Sequence, residues 1–362
     1  MRKFKPDVLG ANVVCLAMLI APLYVQSLSA REVLPELTEL PAPIMVNANH
    51  TVQLAVTNAG NRLISVGEQG VVLLSDDQGQ SWRQSPGVPV SVTLTDVEFV
   101  SESEGWAVGH SGVILKTEDG GEDWVRVMAG EDIVETINDA VRTLSDSYPN
   151  ADIIRRNASF LTGDEPILDI HFSEDGEGWL MGAYGIALRS SDGGKSWESA
   201  FSHTANPEAY HLYQYIPSTD TGGLIVGERG LVSAEQGNTG RYRSVEMPYQ
   251  GTFFGGMALS ADQYLLYGLR GNVWEGREGD WTALDTGSNA SFSASVSTPR
   301  GIVLGDVSGR LFVKSGVNGD IKELTQASEA AITDLLVNSN GQLVVATARG
   351  LKIVDLDDAE FK

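Results

Sequence analysis

The chain has 362 residues, 40 glycines, 42% apolar residues and a formal charge of −23. That acidity, with no basic stripe for phosphate contacts, excludes a nucleic-acid binder and reads as a solvated acidic surface. Abundant glycine among scattered β-branched and aromatic residues suits many short strands joined by tight turns.

Residues 1–30 read as an export signal. Arg2, Lys3 and Lys5 form a basic start, residues 8–25 are mostly apolar, and Ser27, Ser29 and Ala30 offer small residues for cleavage. An uncleaved membrane anchor is the alternative, although Asn12 and Pro22 weaken a spanning helix. The sole cysteine, Cys15, lies in this segment, so the mature chain carries no disulfide, thiol chemistry or zinc–thiolate site. This context places the protein in the periplasm.

After a proline-punctuated stretch, residues 31–49, a unit of short strands begins. Val52, Leu54 and Val56 alternate as a strand, 62–66 form a second, 67–70 turn, 71–74 form a third, and 75–82 close with Trp82. The unit recurs from 94–99 through GWAVGHSGVILKTEDGGEDW at 105–124, and from 167–172 through GWLMGAYGIALRSSDGGKSW at 178–197. Apolar runs this short, bounded by glycine-rich turns, signal strand–turn–strand. Four weaker copies follow, centred on 223–233, 264–274, 302–313 and 343–354.

The second glycine of each turn falls at 70, 112, 185, 230, 271, 309 and 350. Most steps are close to forty residues, the spacing of four-stranded propeller blades, and the one long step carries an insertion. The expectation is an all-β, seven-bladed β-propeller over 31–362, with six or eight blades as alternatives. The last copy supplies three strands, so residues 33–47 are expected to donate a closing fourth. The insertion, 128–166, reads as helical: Ile133, Ile137, Ala140, Val141 and Leu144 recur at helical spacing, Pro149 breaks the pattern, and 151–161 form a second short helix.

Three closing turns share a Ser/Thr-x-Asp-x-Gly-x-x-Trp pattern: Asp77, Gly79 and Trp82; Asp119, Gly121 and Trp124; Asp192, Gly194 and Trp197. It resembles the BNR/Asp-box of bacterial sialidases and related propellers, which implies a fold element on the blade periphery. The carboxylate would accept backbone hydrogen bonds, the glycine would take a strained position, and the tryptophan would pack between blades. A sialidase would add converging arginines and a Tyr–Glu pair, which no stretch announces. His50, His110, His171, His203 and His211 show no metal spacing, and no phosphate-cradling fingerprint appears. No metal, cofactor or catalytic residue is expected. A ligand- or glycan-binding propeller and a degenerate glycosidase remain the alternative functions.

The fuller repeat at 105–124, 178–197 and, more loosely, 63–82 is similar to the photosystem II stability and assembly factor family and its homologues in non-photosynthetic bacteria. The resemblance implies a non-catalytic, exported seven-bladed propeller that helps a membrane-protein complex assemble. It also implies a periplasmic accessory role beside exporters of the resistance–nodulation–division type. The expected partner is a membrane-protein subunit or exporter complex, met by a monomer associated with the membrane at most peripherally.

In a propeller, the turns between second and third strands open on the same face as the blade-to-blade connections. That face would collect Glu68, His110, Tyr184, Glu228, Arg229, Arg270 and Arg349, the helical insertion, and Tyr210, His211, Tyr213 and Tyr215 from the connection 201–216. Arginine and tyrosine gathered on one surface are typical interface anchors.

Overall fold

A computed structural model describes residues 35–218, 222–237, 239–316 and 319–355. The export signal expected over 1–30 lies outside the described residues. Among those described, the chain forms six four-stranded antiparallel sheets and one three-stranded sheet, each a meander in sequence order. They are the seven expected blades. The inner strands are Gln53–Ala59, Leu94–Phe99, Ile167–Phe172, Leu212–Ile216, Phe253–Ala258, Phe292–Thr298 and Ile332–Val337. Second strands such as Gly105–Gly109, Gly178–Gly182 and Leu343–Thr347 are buried at every residue. A strand covered on both faces reads as a continuous apolar run, which is why these segments show no alternation.

The forty-residue spacing of glycines has a steric cause. A Cβ on Gly70 would stand 2.1 Å from the Val90 carbonyl oxygen, on Gly230 2.1 Å from that of Tyr249, and on Gly271 1.9 Å from that of Ser288. In each case the blocking oxygen belongs to the connection leading into the next blade. The same glycines hold φ of +72°, +73° and +76°, where other residues are strained. Turn and connection therefore touch on one face, as expected.

The Asp-box turns form seams with the preceding blade. In blade 3, Ser190 Oγ donates to Asp192 Oδ1 at 2.8 Å, Asp192 accepts the Ser196 N–H at 2.9 Å, and the Gly194 N–H donates to Ser190 Oγ at 2.8 Å. Blades 1 and 2 repeat these bonds around Asp77 and Asp119. Hydrogen bonds from Ser81 and Ser196 hold the Asp77 and Asp192 carboxyls down to about 2. Each box glycine faces its neighbour: Gly194 meets Trp106 of blade 2, Gly121 meets Leu74 of blade 1, and Gly79 meets Ile353 of blade 7.

Two expectations are corrected. Residues 35–47 supply no strand, and the sheet of blade 7 has three. Pro35, Pro41 and Pro43 cannot donate to a ladder. The segment instead bonds the connection between blades 1 and 2, through Ala42 N–H to Val88 O at 3.0 Å and Ser91 N–H to Leu37 O at 2.8 Å. The ring closes by side chains: Asp334 accepts the Val56 N–H at 2.8 Å, Thr333 donates to Gln53 O at 2.7 Å, and Asn338 donates to Gln78 O at 2.9 Å. Gly350 packs on Asn49, the residue leading back into blade 1, as the other turn glycines pack on their connections. The second correction concerns 201–216, expected as connection throughout. Leu212–Ile216 is the inner strand of blade 4, and Tyr215 is buried, stacked on Trp179 with ring centroids 5.3 Å apart.

The insertion follows the outer strand of blade 2 as α1 (Gly130–Arg142) and α2 (Ala151–Ala158). Ile133, Ile137 and Val141 bury against Trp106, Ile114 and Phe201, so the helices belong to the core between blades 2 and 3. Ala140 and Leu144, expected on the same face, are half-buried at its margin. No helix among the described residues is long and apolar enough to cross a membrane.

Candidate functional site

The turns between second and third strands share one backbone geometry. Gln69, Ser111, Tyr184, Arg229 and Arg270 all stand at left-handed φ, between +52° and +59°, just before the turn glycine. A non-glycine residue there costs about 1 kcal/mol. Its side chain is thrust outward: Tyr184, Arg229 and Arg270 are exposed. Arg349 is different. Its turn is a tight hairpin between Leu343–Thr347 and Gly350–Val354, and it is absent from the left-handed set, so it is exposed by another geometry.

The expected residues converge most closely around blades 3 and 4. His211 packs edge-on against Tyr184 at 4.7 Å, and its Nδ1 accepts the Tyr184 N–H at 3.0 Å. That bond leaves the ring proton on Nε2. Glu228 accepts the His211 N–H at 2.9 Å and lies 3.6 Å from His211 Nδ1. The Arg229 guanidinium stands over the Tyr210 ring at 5.4 Å. Tyr213 continues the cluster from the inner strand and meets Phe254 of blade 5 edge-on at 5.1 Å. Burial and the Glu228 charge push the Tyr213 hydroxyl up. Phe254 was missed in the sequence; its place beside Tyr213, second in the next inner strand, was the available signal.

Other expected residues stay apart from this cluster. Glu68 accepts the Val52 N–H at 3.1 Å, the same entry-strand bond that Glu228 makes, so both acids have a structural task. His110 is exposed in the turn of blade 2, beside the insertion. Arg270 fixes its turn through its own N–H to Ser291 Oγ at 3.1 Å.

Charge separates these arginines from most others. Arg62, Arg83, Arg142, Arg155, Arg189, Arg243, Arg277 and Arg310 sit in ion pairs. Among the described residues, Arg229, Arg270 and Arg349 form none, a state shared by Arg126, Arg156 and Arg241. In a chain of charge −23, these three guanidiniums carry their charge without an intramolecular carboxylate partner.

The insertion adds a groove of about 580 Å³ beside Tyr184, bounded by Phe160, Leu161, Pro166 and Ala209. Phe160 and Tyr184 are 70% and 55% exposed, the largest aromatic surfaces left open on the described chain. The groove wall is locked. Burial alone would raise the Glu165 carboxyl, yet the N–H groups of Thr162 and Gly163 hold it below the ordinary value. Gly112 N–H bonds Glu165 O at 3.0 Å, tying the wall to the blade 2 turn.

Residues 84–145 and 150–305 match the family described as Photosynthesis system II assembly factor YCF48. No curated protein sequence matches the chain. Among solved structures, "YCF48 bound to D1 peptide" superposes with a TM-score of 0.63 at 16% identity, covering 85% of this chain and 95% of that one. "YCF48 from Cyanidioschyzon merolae" gives 0.60 at 13% identity, covering 86% and 96%. The WD40 β-propeller domain of Doa1 gives 0.60 at 14% identity, covering 89% and 98%, so these likenesses establish the fold. With more than half its residues matched and all seven blades in place, the chain belongs to the photosynthesis system II assembly factor YCF48 family.

Proposed function

We propose that the protein is an exported, non-catalytic assembly or stability factor whose turn face holds a polypeptide segment of a membrane-protein subunit. The observation that carries this reading is the unpaired Arg229 stacked on Tyr210, next to the Tyr184–His211–Tyr213 aromatic run. Arginine and tyrosine in one cluster, with few competing intramolecular charges, form the kind of patch that dominates binding energy at interfaces. Support also comes from a family relative whose structure is described as bound to a D1 peptide. The acidic remainder of the surface keeps non-specific association low and leaves the arginine face as the selective one.

Capture from detergent-solubilised membranes tests the reading. Arg229→Ala with Tyr210→Ala should reduce recovery of the membrane-protein partner at least about tenfold, the weight of a hot-spot pair. Arg349→Ala, outside the cluster, should reduce it less than about threefold. Unchanged recovery by the double variant would sink the proposal. Identifying the captured subunit decides between a photosystem component and a subunit of an exporter.

A further inference from the structure

A second concave site lies apart from the arginine face. A cavity of about 520 Å³ opens where the α1–α2 loop, the connection between blades 3 and 4, and the outer turn of blade 4 meet. Ile154, Phe201, Pro207 and Tyr242 supply apolar walls, Arg241 supplies a cation, and His203 supplies a hydrogen-bonding imidazole. Among the described residues no carboxylate lines it, in a chain with 48 acidic residues. Arg241 forms no ion pair among the described residues. Burial, then the charges of Arg241 and Arg189, push the His203 imidazole below its ordinary value. Arg189 is itself paired with Glu177, which leaves Arg241 as the unneutralised cation beside His203.

The connection forming one wall is strained. Ala205 and Ala209 both stand at left-handed φ, +56° and +54°, although neither is glycine. Each costs about 1 kcal/mol and persists only where its surroundings demand it. Asn206 braces the segment, donating from Nδ2 to Tyr210 O at 2.8 Å and accepting the Tyr210 N–H at 3.0 Å. The opposite wall is pinned by the Tyr148 hydroxyl, which donates to Ser202 O at 2.7 Å. The cavity is therefore preformed rather than a gap between loose loops.

We infer that this cavity binds an amphipathic organic carboxylate, its acid group on Arg241 and His203 and its apolar body against Ile154 and Phe201. The volume is that of a small-ligand site, mostly apolar with a few convergent polar groups. An anion seated between Arg241 and His203 would offset the Arg241 charge that helps depress the imidazole, so binding raises its titration midpoint. Apolar burial selects an organic acid over a bare inorganic anion.

Proton NMR of the full chain, following the His203 ring signal, reads this directly; His203→Gln assigns the signal by its loss. Phenylpropionate should move the midpoint up by about half a unit or more, saturating at millimolar concentration. Phenylpropanol, which lacks the charge, should leave it unmoved. Acetate and inorganic phosphate should need at least about tenfold more. Arg241→Gln, at an exposed position, should keep the fold and weaken the phenylpropionate response at least about tenfold. No movement with phenylpropionate up to about 20 mM, or an equal response in Arg241→Gln, overturns the site. Equal potency of phosphate overturns the amphipathic assignment.

Discussion

Blades 1 to 3 and blades 4 to 7 reach the same architecture by different chemistry. In the first three, an Asp-box in each outer turn presents a glycine to the preceding blade, and every box carries the same short set of internal bonds. In the last four the box has eroded and individual solutions replace it. Blade 4 substitutes Glu235, whose carboxylate accepts the Gly240 N–H at 2.7 Å. Between blades 4 and 5, Arg243 pairs with Glu278 at the surface. Between blades 5 and 6, Lys314 pairs with Glu275 at 2.9 Å, with only 1% and 11% of the side chains exposed. A turn that satisfies its own backbone can be copied along the ring. A buried ion pair works only where both partners are present.

The sharpest break in that comparison is at Lys314. Lys314→Met should destabilise by about 3 kcal/mol or more, because it leaves Glu275 charged and buried. Adding Glu275→Gln should restore most of the loss, which chemical denaturation can measure. Equal stability of the single and double variants would show that the pair contributes nothing as a pair. Next in size is the box seam. Gly194→Ala forces a Cβ to 2.6 Å from the Trp106 ring at φ +77°, and should cost about 2 kcal/mol. Asp192→Ala removes the acceptor for Ser196 N–H and should cost about 1 kcal/mol, whereas Gln236→Ala in the eroded turn of blade 4 should change stability by less than about 0.5 kcal/mol.

The blade count was legible because a steric rule repeats: each turn glycine stands against the backbone of the connection into the next blade, so it recurs in the sequence. The boxes were legible for the same reason. The inner strand of blade 4 was missed because Leu212–Ile216 carries two tyrosines and a glutamine in place of the apolar alternation. Tyr215 looked like surface and is core. The closing strand was misread because propeller closure has more than one solution, and prolines at 35, 41 and 43 argued against a ladder. Of the candidate site, the arginine positions followed from the repeat register. The Tyr184–His211 packing joins the blade 3 turn to the connection entering blade 4, and the Arg229–Tyr210 stack joins that connection to the blade 4 turn; the strand-and-turn register encodes neither.

The inner strands carry the same contrast in a form that pH can read. Asp96 accepts the Ile170 N–H at 2.9 Å, Asp169 that of Tyr215 at 2.9 Å, and Asp334 that of Val56 at 2.8 Å. At the same position in blade 4 the neutral Gln214 does the task, accepting the Gly256 N–H at 2.8 Å. Burial outweighs the hydrogen bonds at Asp96 and Asp334, pushing them up to about 7 and about 6, and it raises Asp169 as well. A carboxyl whose folded value lies above its unfolded value of about 3.9 binds its proton more tightly in the native state. Its contribution is then greatest below pH ~4 and is lost as pH rises toward the folded value. Asp96→Asn keeps an acceptor for Ile170 and removes the titration. Relative to the parent, it should be nearly as stable at pH ~4 and more stable by several kcal/mol at pH ~7.5, about 1.4 kcal/mol for each unit by which the folded value exceeds the unfolded one, the gain developing between those limits. Differencing the two proteins cancels every other titrating group, so denaturant midpoints across that range isolate Asp96. A variant less stable than the parent at the upper limit would mean that the ionised carboxylate's bond to Ile170 outweighs its burial, and blade 4 would then be the weaker staple.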